Sequence, residues 1–140
     1  MRGEFVVTLQ EISGMLVWTV AGGVLLVLLM MVDSWFTRYK DLEEIRRGNT
    51  AVATRFVMKL LSQAYILSQS IVTSNALGEA LLVSVVSFVI LLALESLLRI
   101  GLRALARMDL DQGTQDGKVA HALLAGSLHI AGALIIGALL

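Results

Sequence analysis

The stretch ISGMLVWTVAGGVLLVLLMMV, residues 12–32, runs from Glu11 to Asp33 without a charge. An α-helix rises 1.5 Å per residue, so about 20 apolar residues cross the roughly 30 Å of bilayer hydrocarbon. This run crosses on its own, and three more stretches extend the reading. Residues 60–78 reach spanning length if their helix starts near Thr50 and takes Arg55 and Lys59 into its first turns. Residues 80–94 reach it if Glu95 is tolerated and Ser96, Leu97 and Leu98 follow. Residues 119–140 carry no charge at all. Backbone in lipid must satisfy its own hydrogen bonds, which leaves helices or closed barrels. Barrel strands would alternate in polarity, and these runs do not. The expectation is an all-α polytopic membrane protein, one domain over residues 1–140. Its four transmembrane helices fall near 13–34, 50–74, 78–100 and 118–140.

Composition agrees. Of 140 residues, 57% are hydrophobic and 16% charged, against roughly 45–50% and about 25% in a soluble domain. Mean hydropathy is +0.83. Eleven basic residues balance eleven acidic ones, so no basic excess points to nucleic acid. The absence of cysteine removes disulfide scaffolds, thiol enzymes and cysteine metal sites. The first apolar run exceeds the usual signal-peptide core, and its leader sets Glu4 and Glu11 against Arg2 alone. We therefore read it as a retained helix, with residues 5–9 lying at the membrane interface.

Basic residues orient the chain. Arg38, Lys40, Arg46, Arg47, Arg55 and Lys59 flank the first connection, and Arg99, Arg103, Arg107 and Lys118 the third. Positive residues gather on the cytoplasmic side. Both termini are then outside, and the connections 35–49 and 101–117 are cytoplasmic. Trp18 near one end of the first span and Trp35, Phe36 and Tyr39 at the other mark two interfaces roughly 25 Å apart.

The second and fourth helices open alike. Gly48-Asn49-Thr50-Ala51-Val52-Ala53 and Gly117-Lys118-Val119-Ala120-His121-Ala122 both read G-x-x-A-x-A, and an Asp-Leu pair precedes each, at Asp41-Leu42 and Asp109-Leu110. Two helices separate the copies, which predicts two like-oriented hairpins, about 13–74 and 78–140, around an axis along the membrane normal. Small residues let helices approach in lipid. Ala122 with Gly126, and Ala133 with Gly137, are further small-xxx-small pairs, and Gly132 lies between them.

The segment Glu44-Ile45-Arg46-Arg47-Gly48-Asn49-Thr50-Ala51-Val52-Ala53 resembles the signature of the domain-of-unknown-function 350 family, the YjfL-type small inner-membrane proteins. The end Ala131-Gly132-Ala133-Leu134-Ile135-Ile136-Gly137 is similar to that family's C-terminal segment. The resemblance implies four spans and Gly/Ala boxes opening helices two and four. It also implies residence in the bacterial inner (cytoplasmic) membrane and an envelope association, but no established activity. Arg55, Met58, Lys59 and Ser62 depart from the family's Gly-rich second helix, and Lys118 stands where the first box has Asn49.

Ionisable groups within spans face a bundle interior or water. Arg55 and Glu95 lie at similar depth and can pair, with Lys59 the deeper alternative. This reads first as a structural ion pair or as cations reaching the headgroups, and second as an ion or proton relay. His121 sits at the cytoplasmic start of its helix, at a depth that can meet Glu95. His129 lies near the bilayer middle, where it either bonds a neighbouring helix or shuttles protons. Neither has a second ligand at i, i+4, and Asp109, Asp111 and Asp116 read as a solvated loop rather than a calcium loop. We therefore expect no metal and no cofactor. No G-x-S-x-G, H-E-x-x-H, P-loop or G-x-G-x-x-G occurs, so no catalytic residue is assigned. The function expected from sequence is a non-enzymatic, homo-oligomeric scaffold or partner subunit embedded in membrane lipid. A partner protein would meet it at the two cytoplasmic connections. The alternative is an oligomeric ion channel or proton/ion transport subunit.

Overall fold

The computed structural model describes residues 8–140. It is all-α: α1 (Leu9–Ser34), α2 (Asp41–Arg46), α3 (Thr50–Thr73), α4 (Leu77–Leu105), α5 (Leu110–Gln115) and α6 (Val119–Leu139). The four long helices fall where the apolar runs placed them. α1 starts earlier than expected because Thr8 and Glu11 form a reciprocal capping box. α4 continues to Leu105, through Arg99 and Arg103. The interfacial segment expected over residues 5–9 falls, except for Thr8 and Leu9, outside the described residues. α1, α4 and α6 are long and apolar enough to cross a membrane. α3 has 24 residues, roughly 36 Å of helix, but its charged and polar side chains lower its apolarity.

The two connections expected at the cytoplasmic face contain α2 and α5 rather than open loops. Their geometry is the same. Gly48 donates to the Ile45 carbonyl at 2.9 Å and Asn49 to Glu44 at 3.0 Å; Gly117 donates to Thr114 at 3.1 Å and Lys118 to Gly113 at 2.9 Å. Each short helix thus ends in a Schellman turn, which needs a left-handed residue one position past the cap. Gly48 and Gly117 supply it, both at φ +86°. The Gly of the box therefore closes the short helix, and the next residue caps the long one. Asn49 accepts from Val52 N at 3.2 Å; Lys118 makes no such bond. α5 starts at 110 against 41 for α2, α6 at 119 against 50 for α3, and the glycines stand at 117 and 48, one offset of 69 throughout. At that offset the two Asp-Leu pairs are one residue out of register. Asp109 caps α5, whereas Asp41 is the first residue inside α2. The pairs are not equivalent.

α3 is the hub, packed by α6, α4 and α1. It buries Arg55, Lys59, Ser62, Gln63 and Ser70 and turns Val57, Leu61 and Val72 outward. That polarity is the reverse of a soluble helix and suits a helix wrapped by others in lipid. α6 approaches it through glycine. A Cβ on Gly126 would overlap Met58, and one on Gly137 would overlap the Tyr65 ring; Gly132 lies against Leu91 of α4. Ile66, Leu91, Ala133 and Ile136 form one apolar cluster, and Leu29, Phe88 and Leu92 another between α1 and α4. α1 buries only Gly22, Leu29, Met30 and Asp33.

Candidate functional site

The polar side of α3 meets ionisable groups from every neighbour. Arg55 donates from Nη1 to Asp111 Oδ1 at 2.7 Å and to the Tyr39 hydroxyl at 3.0 Å, and from Nη2 to Glu95 Oε1 at 3.3 Å. Arg99, one turn after Glu95 on α4, holds Asp111 at 3.1 Å and lies 3.6 Å from Glu95. One turn deeper, Lys59 Nζ is 2.7 Å from Asp33 Oδ2 at the end of α1. His129, midway along α6, puts Nδ1 2.9 Å from Glu95 Oε2. Arg55, Lys59, Glu95, Asp33 and His129 are each at most 2% exposed.

Local structure places each group. The Schellman turn and the Asn49 cap start α3 so that Arg55 and Lys59, four apart, share one face. The short α5 folds back beneath the bundle because Leu110, Gly113 and Thr114 are buried, with Gly113 against the His121 ring. This carries Asp111 inward. Two ties join the α2 and α5 connections: Asn49 Nδ2 donates to the Gln115 carbonyl at 3.0 Å, and Arg38 pairs with Asp109 at 2.8 Å.

Electrostatics at the end of the bundle that carries α2 and α5 follow burial. Burial pushes the Asp41 carboxyl above its usual range; Lys59 and the Ser34 hydroxyl, which donates to it at 2.7 Å, offset this in part. Burial likewise raises the Tyr39 phenol, against the pull of Arg55. Within the bundle, the His129 contact lies off a straight hydrogen bond, and His129 Nε2 has no hydrogen-bond partner among the described residues. The Gln63 amide and the Ser84 hydroxyl are also buried without one. Buried polar groups in that position require water or a ligand. Asp33, Glu95 and His129 offer three ligand atoms within 4.8 Å of one another, a donor set that fits a cation. Lys59 already supplies one positive charge there.

The sequence-derived candidates divide cleanly. Arg55, Lys59, Glu95 and His129 come together. His121 does not join them; it stands at the start of α6, half-exposed over Gly113, and His129 is the histidine at Glu95. Lys59 pairs with Asp33 rather than replacing Arg55 at Glu95. The solvated-loop reading of Asp111 is overturned, because α5 buries it between two arginines. Asp33, Tyr39 and Arg99 also belong to the cluster and were not singled out from sequence. Of the box residues, Ala51 and Ala122 are fully buried, Ala53 is half-buried and Ala120 is exposed. Gly48, Asn49 and Gly117 shape turns. Gly126, Gly132 and Gly137 are helix contacts.

No curated protein and no solved structure matches the chain. The pattern described as Domain of Unknown Function (DUF350) matches residues 7–140, nearly the whole length. The chain belongs to the DUF350 family.

Proposed function

We propose that this is a four-span membrane protein whose buried charge cluster carries protons, acting as a non-enzymatic transport subunit in a homo-oligomer. One observation carries the reading: ionisable side chains from all four long helices and α5 converge in the bundle interior, most of them out of contact with solvent. Such groups cost several kcal/mol each to bury, and within membranes they line ion pathways and proton relays. His129 and the unpartnered Gln63 and Ser84 supply exchangeable protons and polar stations beyond the cluster. α3 is the fourth span, its charges shielded by its neighbours. The common offset of 69 supports two equivalent halves, α1–α3 and α4–α6. The arginine-rich connections then face the cytoplasm and both termini face outside, in a bacterial inner membrane. Four helices enclose little volume, so a continuous path needs several copies.

A scaffold role is the second reading. Its support is the tied surface of α2 and α5, on which a cytoplasmic partner at residues 35–49 and 101–117 would sit. Proteoliposomes with an internal pH-sensitive dye separate the two. Transport predicts proton uptake driven by a potassium diffusion potential, lost in Glu95→Gln and His129→Asn while the oligomer measured by light scattering is kept. Flux no greater than that of empty liposomes defeats the transport reading and leaves the scaffold.

A further inference from the structure

Two cavities meet at Ser96 on α4, and one of them reaches Arg99 and Asp111 at the edge of the buried cluster. One, of about 290 Å³, is a groove between the end of α1 and α4, walled by Val32 and Phe36 on one side and Phe88, Val89 and Leu92 on the other. The other, of about 240 Å³, continues along the last turns of α4 and holds Arg38, Arg99 and Arg103, with Asp109 and Asp111 behind them. The apolar groove thus runs straight into an arginine pocket. From Phe88 to Arg103 is fifteen residues, roughly 22 Å of helix. One leaflet with its headgroups is about 20–22 Å thick.

The charges of the pocket are prearranged. Arg38 is held by Asp109 at 2.8 Å and Arg99 by Asp111 at 3.1 Å, while Arg103 makes no ion pair among the described residues. Three guanidinium groups against two carboxylates leave one positive charge. That matches a single phosphodiester, whose planar oxygen pairs suit guanidinium forks. A basic pocket beside a membrane helix on the cytoplasmic side is a headgroup site. A soluble anion would use the pocket but leave the groove unfilled. A zwitterionic lipid would fill the groove but bring its own cation to the arginines.

We propose that this composite site binds one anionic phospholipid of the cytoplasmic leaflet, with its phosphodiester at Arg38 and Arg103 and one acyl chain in the groove between α1 and α4. The proposal rests on α4 spanning the membrane with its arginine end at the cytoplasmic face, and not on proton transport. The test uses the full chain purified in mild detergent and titrated with phosphatidylglycerol, phosphatidylcholine or inorganic phosphate, reading bound lipid by native mass spectrometry and protection against heat. Phosphatidylglycerol should bind best. Arg103→Gln, on an exposed side chain, should weaken it about fivefold, the effect of one arginine at an anionic membrane surface. Ala93→Phe, which fills the groove from its exposed wall, should weaken both lipids and leave any phosphate binding unchanged. Equal binding of the two lipids overturns the proposal, as does phosphatidylglycerol binding that neither variant changes. Inorganic phosphate protecting as well as phosphatidylglycerol reduces the site to an anion pocket and overturns it too.

Discussion

Replacing Lys59 with methionine keeps the length and apolar stem of the side chain and removes only its ammonium. Asp33 is then left as a buried carboxylate whose only ion-pair partner among the described residues, 2.7 Å away, is gone. Removing one member of a buried pair costs about 3–5 kcal/mol, most of it the uncompensated charge left behind. A chain of 140 residues shifts its melting temperature by roughly 3–6 °C per kcal/mol, so Lys59→Met should melt about 10–30 °C below wild type. Adding Asp33→Asn removes the stranded charge, and the double variant should recover more than half of the loss. Trp18 and Trp35 flank the site along α1, so tryptophan fluorescence in mild detergent during a thermal ramp reads the transition. A Lys59→Met variant melting within about 5 °C of wild type would refute the reasoning. So would a double variant no more stable than Lys59→Met alone, because the cost would then lie in packing rather than charge.

Three further outcomes follow from local geometry. Gly126→Leu drives a side chain into Met58 across a close contact of α3 and α6, and should cost at least about 1–3 kcal/mol in the same melt, whereas Gly23→Leu, with open space where its Cβ would stand, should cost much less. Asn49→Ala removes the cap of α3 and the tie to Gln115, and should cost about 1 kcal/mol; Lys118→Ala, which caps nothing by its side chain, should be near neutral. Burial raises the folded pKa of Asp41 above the ordinary carboxylate value, so its neutral form favours the folded state at acid pH and that contribution is lost as pH rises through the folded value. Asp41→Asn, which cannot ionise, should therefore gain on wild type between pH 4 and pH 7, and melts at the two values check the sign.

The helices were legible because α1, α4 and α6 are apolar over a spanning length, on their outward and their packed faces alike. Arg55 with Glu95 was legible for a related reason: charges inside apolar runs stand out, and helical rise fixes their depth. Asp33, Asp111 and Arg99 were not, because each sits beside a charge that looks like the end of a span. Asp33 served as the boundary of the first run and Arg99 as a topogenic cation. Both roles are compatible with burial, but only contacts far apart in sequence decide it. Asp111 depends on α5, whose six residues are too few for a periodic signal. The offset of 69 was the available clue, because it sets residues 110–115 against 41–46 as the same structural unit. His121 misled because depth along α6 was judged from the helix start, while the ring turns toward Gly113 instead of Glu95.

The feature that hides α3 from a hydropathy scan is the one that gives it a role. A helix that turned Arg55, Lys59 and Gln63 to lipid would be expelled; a helix whose polar side is covered by α1, α4 and α6 keeps them. The interior then has to balance its charge. Asp33, Asp41, Glu95 and Asp111 oppose Arg55, Lys59 and Arg99, four acids to three permanent cations. In a low-dielectric interior an unmatched charge is costly, so balance calls for one more proton. Burial favours the neutral form of Asp41, which makes its carboxyl one host for it. Under the transport reading, gain and loss of that proton is the elementary step. Glu95→Gln removes the fourth acid and with it the need for the extra proton. The variant should therefore fold without penalty to the remaining pairs and yet carry no flux.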